Sequence, residues 1–600
     1  MSGSSFIGEL QTGALYPLAL AASFFSTPGE PWFIDIFIVI HFWIGCLSMH
    51  ALCRTFGLSY LSSSAGAVIF SFASAVACRA WAQPNLHAGL VYIPFGVLAV
   101  VKAIRAGDRL TAATWSALGG GVVALSFLAG HAHGTIHMLV AAAITAIIVC
   151  AYDAIELRCA LRKLSFVFSI LIGFSLLIAA PQIAATTQYF SLAYKWYGSG
   201  CTSPPHIVPY SQYIKNPILL SDFITIWSGG SFKAIDGGTL FATRTAILSV
   251  LLCGGLLLHR RKRLLPFEVG AALVVASLIL GVSAPYFLGH LIYHIPVLNI
   301  VRLPSRAAHI YALGIALMAA SSIDYLAAKI DRSRIKIGTI LSLAVVSLIG
   351  AEAYNFVAKQ LASINSPAYP MNSVYNDAMV KEILRVTSGP DGSRYRVHFP
   401  ADSLPSNLGD IFPMLTTTAF RSSRQINYHD YFDWKPDSPC TDALAVKWWV
   451  SEKPVAGLRE IAYCDNMHLY ERPKPLPVFW MQEDDGSRIP APIASTEWTQ
   501  NTVTVRFDRK ITGSLVFAQP SFPGWKFIAN GRSSPCTTVD IFMTAKLLEP
   551  CDSVTFRYAP LWFTPLLIIS LVASAGVLLL GCGLLTRKAP PVHGPPRKGS

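Results

Sequence analysis

The stretch Ala129-Gly-His-Ala-His-Gly-Thr-Ile-His137 gathers three imidazoles, His131, His133 and His137, within seven positions. Imidazole ligates borderline divalent metals, and residues four apart share a helix face, so the three form a candidate metal site. Hydrogen-bonded loop histidines are the alternative, because no Cys or carboxylate lies close by in sequence to complete a ligand set. A second group, Trp81-Ala-Gln-Pro-Asn-Leu-His87, carries Gln83, Asn85 and His87. A third, Pro296-Val-Leu-Asn-Ile-Val-Arg-Leu-Pro-Ser-Arg306, sets Arg302 and Arg306 about one turn apart around Pro304. Guanidinium is the side chain best suited to bidentate contact with phosphate. Against that stands an arginine that snorkels to a membrane surface or pairs with a carboxylate.

These groups lie at the ends of long apolar runs, where polar side chains are costly and become functional candidates by default. The chain of 600 residues is 53% hydrophobic and only 13% charged, a balance that belongs in a bilayer. Eleven spans are expected near residues 31–53, 60–79, 86–104, 110–130, 135–152, 163–185, 241–258, 265–285, 303–325, 335–355 and 560–586. The net charge of +14 does not point to nucleic acid, because Lys and Arg sit in short clusters between apolar runs. Those clusters are Lys102, Arg105 and Arg109; Arg158, Arg162 and Lys163; residues 259–263; Lys329, Arg332, Arg334 and Lys336; and the tail Arg587, Lys588, Arg597 and Lys598.

If the spans alternate, all the clusters fall on one side, the cytoplasmic one. Residues 81–85, 130–134, 186–240, 286–302 and 356–559 then lie outside, as does Met1. The expected organisation is an outer N-terminal loop (1–30), a transmembrane domain (31–355) with an outer loop at 186–240, and an extracytoplasmic domain (356–559). A last span (560–586) and a basic cytoplasmic tail (587–600) complete it. Five cysteines fall in the outer segments, Cys201, Cys440, Cys464, Cys536 and Cys551. In an oxidising compartment Cys440 with Cys464 and Cys536 with Cys551 are candidate bridges, with connectivity open.

Within the outer domain, alternating runs such as Thr502-Val-Thr-Val-Arg-Phe507 and Gly513-Ser-Leu-Val-Phe517 predict a β-sandwich over 475–559. The part before it, 370–470, reads as α+β. Trp525, in Pro520-Ser-Phe-Pro-Gly-Trp-Lys526, either anchors the sandwich core or stacks on a sugar face.

The stretches "QTGALYPLAL", "QPNLHAGLVYIPFGVLAV", "LAGHAHGTIHML", "IPVLNIVRLPSRAAHIYALGIALMAASSIDYL", "QPSFPGWKFIANGR" and "VTFRYAPLWFTPLLI" run in this order over most of the chain. Together they resemble the YfhO-type bacterial membrane proteins, a branch of the integral-membrane glycosyltransferases of the GT-C fold. The resemblance implies transfer of a sugar from a polyprenyl-phosphate carrier to an envelope glycan or lipid acceptor on the outer face of the inner membrane. It also implies an outer-loop carboxylate as general base, with cationic groups or a divalent metal steadying the phosphate that leaves. Arg302, Arg306, Gln83, Asn85 and His87 would serve the donor phosphate, and Trp525 the acceptor sugar.

In the family pattern a first span and a catalytic Asp precede the segment matching "LQTGALYPL", and this sequence starts after both. Glu9 is the nearest carboxylate and the candidate base; Asp35 lies inside a span, while Asp222 and Asp236 lie in the long outer loop. A non-enzymatic protein that binds or positions lipid-linked glycans is therefore the rival reading. A secondary transporter is weaker, since no inverted repeat or discontinuous helix pair is visible.

Overall fold

The computed structural model describes residues 6–25, 32–194, 208–228, 240–260, 264–295, 298, 304–331, 337–364, 374, 376–400, 403–404, 408–412, 414–417, 424–433, 435–499 and 501–586. Arg302, Asp236, Cys201, the segment 196–207 and the tail 587–600 lie outside these residues. Among the described residues up to Ile364 the elements are mainly helices: α1 (Pro17–Phe25), α2 (Trp32–Thr55), α3 (Tyr60–Phe72), α4 (Ser74–Ala82), α5 (Pro84–Leu90), α6 (Ile93–Ile104), α7 (Arg109–Leu128), α8 (Ala132–Tyr152) and α9 (Leu157–Phe190). They continue with α10 (Tyr210–Tyr213), α11 (Thr225–Ser228), α12 (Arg244–Arg260), α13 (Leu265–Val282), α14 (Phe287–Tyr293), α15 (Ala308–Ile330) and α16 (Ile337–Ile364). A closing helix, Phe563–Thr586, follows the strands.

Among the described residues nine helical segments are long and apolar enough to cross a membrane, or ten if the bent pair α3–α4 is one span. The chain is thus an α-helical polytopic membrane protein carrying a C-terminal β-rich domain and one last apolar helix. Two expected spans differ. The run 60–79 bends by 51°, because Ala73 leaves the helical region with ψ 139° and the Ser74 N–H donates to the Phe241 carbonyl instead of continuing the ladder. The run 241–258 is a shorter apolar helix, Arg244–Leu257, below the roughly 20 residues a crossing takes. Its start is fixed by Thr243 at φ 66° and by Arg244, whose Nε donates to the Trp227 carbonyl.

Bundle packing depends on small residues that let backbones approach, since in lipid van der Waals contact rather than water exclusion holds helices together. A Cβ at Gly270 of α13 would stand 2.5 Å from the Gly314 carbonyl of α15, so these two helices cross backbone against backbone. The same device joins α5 to α8, where a Cβ at Gly134 would meet Gly89 at 2.9 Å. The segments Pro84–Ile104 and Pro304–Ile330 are 89% and 78% buried and form the centre, whereas the closing helix is 11% buried and packs outside against α7 and α9.

The C-terminal strands form two main sheets. β2 (Arg396–His398), β3 (Leu415–Thr416), β5 (Val446–Ser451), β6 (Arg459–Cys464) and β7 (Met467–Glu471) lie in the order β3-β2-β5-β7-β6. The second sheet is antiparallel and contains β8 (Phe479–Gln482), β9 (Arg488–Pro490), β10 (Ile493–Trp498), β11 (Thr502–Pro520), β12 (Trp525–Ala529), β13 (Arg532–Pro535), β14 (Thr537–Val539) and β15 (Phe542–Tyr558). The long strands β11 and β15 pair along most of their length with register shifts after Arg506, Ile511 and Phe517. Such bulges bend the sheet and let β10 and β8 share β11. One apolar core joins both sheets, from Trp449 and Tyr470 to Phe479, Phe517, Phe542 and Phe556.

A third, two-stranded pairing ties domain to bundle. β1 (Ala193–Tyr194) continues from α9 and pairs antiparallel with β4 (Arg424–Gln425), and Ile426 N–H donates to the Leu192 carbonyl. Tyr189 and Ala193 pack there against Phe522, with Trp525 and Tyr558 beside them. The expected bridges are not formed, because Cys440, Cys464, Cys536 and Cys551 are all free thiols. Cys464 ends the edge strand β6, while Cys440 sits in the short helix Pro439–Ala443 that leads into β5. Thr537, next to Cys536, pairs with Thr544; that is seven residues from Cys551 along β15, roughly 20 Å at the ordinary strand rise and well beyond disulfide reach.

Candidate functional site

Gln83 breaks the helix between α4 and α5 at φ −150° and ψ 75°, outside the helical region that a following proline disfavours, and Pro84 then starts α5. That break aims the Gln83 side chain at Arg306, whose Nη2 donates to Gln83 Oε1 at 3.3 Å. Arg306 sits in the one-turn helix Pro304–Ala307 ahead of α15 and is 3% exposed. Its Nη1 stands 3.3 Å from both ring nitrogens of His133. The guanidinium therefore joins three parts of the chain far apart in sequence.

The imidazoles extend from this point. His131 Nδ1 and His133 Nδ1 are 3.3 Å apart, and His137 Nδ1 lies 3.1 Å from His309 Nδ1. His309 belongs to α15, one turn beyond Arg306, and Arg79 of α4, Arg306, His131 and His137 all lie close enough for their charges to act on it. All of these side chains are less than a tenth exposed. The close crossing of α5 and α8 at Gly89 and Gly134 brings the histidine loop to the Gln83 break, and Ser126 Oγ donating to the Gly89 carbonyl pins it.

Among the described residues no group of three or more His, Cys, Asp or Glu is arranged to hold a metal ion. His131, His133 and His137 come together as members of successive pairs rather than around one point; ring centroids of His133 and His137 are 6.3 Å apart. A cation placed among them would also meet the Arg306 guanidinium.

Asn85 and His87 have other tasks. Asn85 Nδ2 donates to the Gln11 carbonyl at 2.7 Å, and His87 Nδ1 lies 3.2 Å from the Val76 carbonyl across the α4–α5 turn. The N-terminal stretch is docked onto this region. Gly130, at φ 109°, lies so close to the Leu10 carbonyl that a Cβ there would approach it to 2.9 Å. Gln182 Nε2 donates to the Ile7 carbonyl, and the buried Tyr16 hydroxyl reaches His41 Nε2 at 2.6 Å and the Tyr92 hydroxyl at 2.7 Å. Glu9, 6% exposed, precedes the single turn Leu10–Thr12 and so arrives at the same end of the bundle.

The other candidates stand elsewhere. Asp35 is in the first turn of α2, and the Asp222 carboxylate accepts from the Leu219 N–H at 2.8 Å, a local turn contact. Trp525 is half-buried at the joint between domain and bundle, its ring 5.6 Å from Tyr558 and 6.5 Å from Phe517. His309 and Arg79 escaped the sequence reading. His309 follows Arg306 by three residues, the spacing of one helix face, and Arg79 ends the expected run 60–79, the kind of position that singled out Arg306.

Chemically, the site offers guanidinium and imidazole N–H donors and a glutamine amide held in fixed relation inside a membrane bundle. Such donors suit an oxyanion, and phosphate above others. Comparison of the sequence with protein-family models and with curated proteins gives no match. In fold the chain is similar to a cryo-EM structure of the arabinofuranosyltransferase AftD from Mycobacteria, with a TM-score of 0.43 and 10% identity over 88% of this chain and 51% of that one. A mutant form of the same protein gives a TM-score of 0.42, 10% identity, and 88% and 53% coverage. The chain spans about half the length of these structures, and at such scores nothing about activity rests on the likeness.

Proposed function

We propose that this protein is a YfhO-like membrane glycosyltransferase that takes a sugar from a polyprenyl-phosphate donor and passes it to a glycan or lipid acceptor of the bacterial envelope. The observation that carries the reading is Arg306, a buried guanidinium held by Gln83 and His133 where three separate helical segments meet. In this reading the donor phosphate binds at Arg306, with Arg302 beside it in sequence, and the sugar is presented to an acceptor beneath the β-rich domain. The protein sits in the inner membrane with that domain outside and the C-terminus in the cytoplasm. Glu9 is the base in this scheme, taking the acceptor hydroxyl proton as the anomeric carbon–oxygen bond to phosphate breaks.

A non-enzymatic role in binding lipid-linked glycans is favoured by one observation, the burial of Glu9, which leaves its carboxylate little access to an acceptor hydroxyl. Purified protein given a radiolabelled polyprenyl-phosphate sugar separates the two. Release of polyprenyl phosphate that falls about 10–100-fold in Arg306→Ala supports transfer. Binding of the donor without any release, weakened by the same substitution, supports the second role. Donor binding that is indifferent to Arg306 sinks both.

A further inference from the structure

We infer that His290 and His294 form a binding site for a borderline divalent transition cation, Cu2+ or Zn2+, on the surface of α14. The two residues are four apart, and their Nε2 atoms stand 3.2 Å from each other with both side chains exposed. Two imidazole nitrogens each about 2.0–2.1 Å from one Zn2+ at a tetrahedral angle are about 3.3 Å apart, so the pair already has the bite of a chelate. In the free protein that spacing is a ring-to-ring N–H···N contact. For both Nε2 atoms to ligate, the ring whose Nε2 holds the proton takes the Nδ1–H tautomer, and waters fill the remaining positions of the cation.

The site is also held in place. The His290 ring meets the edge of Tyr210 at 4.9 Å, and the Tyr293 and His294 rings are 5.6 Å apart. Those tyrosines are anchored in turn, Tyr210 donating to the Ala284 carbonyl and Tyr293 to the Val208 carbonyl. Gly289 packs so tightly on the turn after α13 that a Cβ would fall 2.3 Å from the Ser283 carbonyl, which fixes the pitch of α14 beneath both histidines. Neutral imidazole ligands without carboxylate favour Cu2+ and Zn2+ over Mg2+ or Ca2+. The site is separate from the Arg306 cluster and does not depend on the donor reading, although both lie toward the same end of α13: the Ile218 N–H binds Gly281 there, and the Ser305 N–H binds Asn216.

The test is titration of the full-length, chelator-treated protein in detergent with copper sulfate or zinc chloride, read by calorimetry and, for copper, by electron paramagnetic resonance. One equivalent should bind with nitrogen hyperfine structure, and His290→Gln or His294→Gln should each weaken it about ten-fold or more. Glutamine keeps a hydrogen-bonding side chain at each position, and two independent variants guard against one failing to fold. His429→Gln, in the β-rich domain, should leave that equivalent intact. Affinity unchanged in both α14 variants, or magnesium competing as well as zinc, overturns the assignment.

Discussion

Arg396 and Arg306, two of the four arginines among the described residues that are almost wholly buried, are buried for different ends. Arg396 opens β2 and donates through Nη1 to the Leu444 and Ala518 carbonyls, both at 2.7 Å, and through Nη2 to Gln519 Oε1 at 3.4 Å. It thereby fastens the five-stranded sheet to β11, and burial pushes its guanidinium down to about 10, still charged at neutral pH. Arg306 meets the side chains of Gln83 and His133, which can turn toward a ligand. Backbone carbonyls fixed in two sheets cannot be re-aimed, whereas amide and imidazole partners can. The first arrangement is a rivet; the second can be re-aimed.

The largest expected effect falls on Arg396. Replacing it with Met leaves two buried carbonyls without donors and should cost about 3–5 kcal/mol of domain stability, read by tryptophan fluorescence in urea. The difference between the two proteins should stay flat from pH 5 to 8. A guanidinium whose folded-state pKa is lowered carries its desolvation cost at all pH values below about 10, and the cost is relieved only as pH rises through that value. A loss under about 1 kcal/mol would remove the distinction between the two arginines.

Arg306→Met comes next and should act on binding rather than on unfolding, with affinity for polyprenyl phosphate falling about 10–100-fold. Arg306→Lys should restore little of it, because one ammonium lacks the fork that spans Gln83 and His133. Equal losses of stability in Arg306→Met and Arg396→Met would make both structural. Tyr16→Phe removes contacts to His41 and Tyr92 and should lower stability by about 1–2 kcal/mol, while donor affinity stays within about two-fold if the N-terminal stretch is only a brace. A larger binding loss would draw that stretch, and Glu9 with it, into the site. The smallest change is expected at Trp525→Phe, which keeps the aromatic contact with Tyr558 and should shift stability by less than about 1.5 kcal/mol.

Much of the bundle was legible because a spanning helix is announced by its own residues: α2, α7, α8, α13 and the closing helix need no partner to be seen. What escaped is held by distant partners. The break at Ala73 depends on the Phe241 carbonyl, and a hydropathy window averages over a single residue that leaves the helix. His131, His133, Gln83 and Arg306 were each visible as costly polar residues, but their meeting depends on the glycine crossing at positions 89 and 134. His309 was hidden inside the apolar run of α15, and Arg79 inside the broken α4. The cysteines misled for a related reason: compartment suggests bridges, but only strand register shows that Cys536 lies against a part of β15 remote from Cys551.

The joint at α9 has a mechanical consequence. Helix and domain share one backbone ladder through β1 and β4, and the closing helix returns from β15 to lie along α9. The domain is therefore clamped twice to the same post, at its entry from the α9 side and at its exit. Tilting it would require breaking backbone hydrogen bonds at one clamp or sliding two packed helices at the other. A load applied to the domain is passed to α9 as torque rather than taken up as swing.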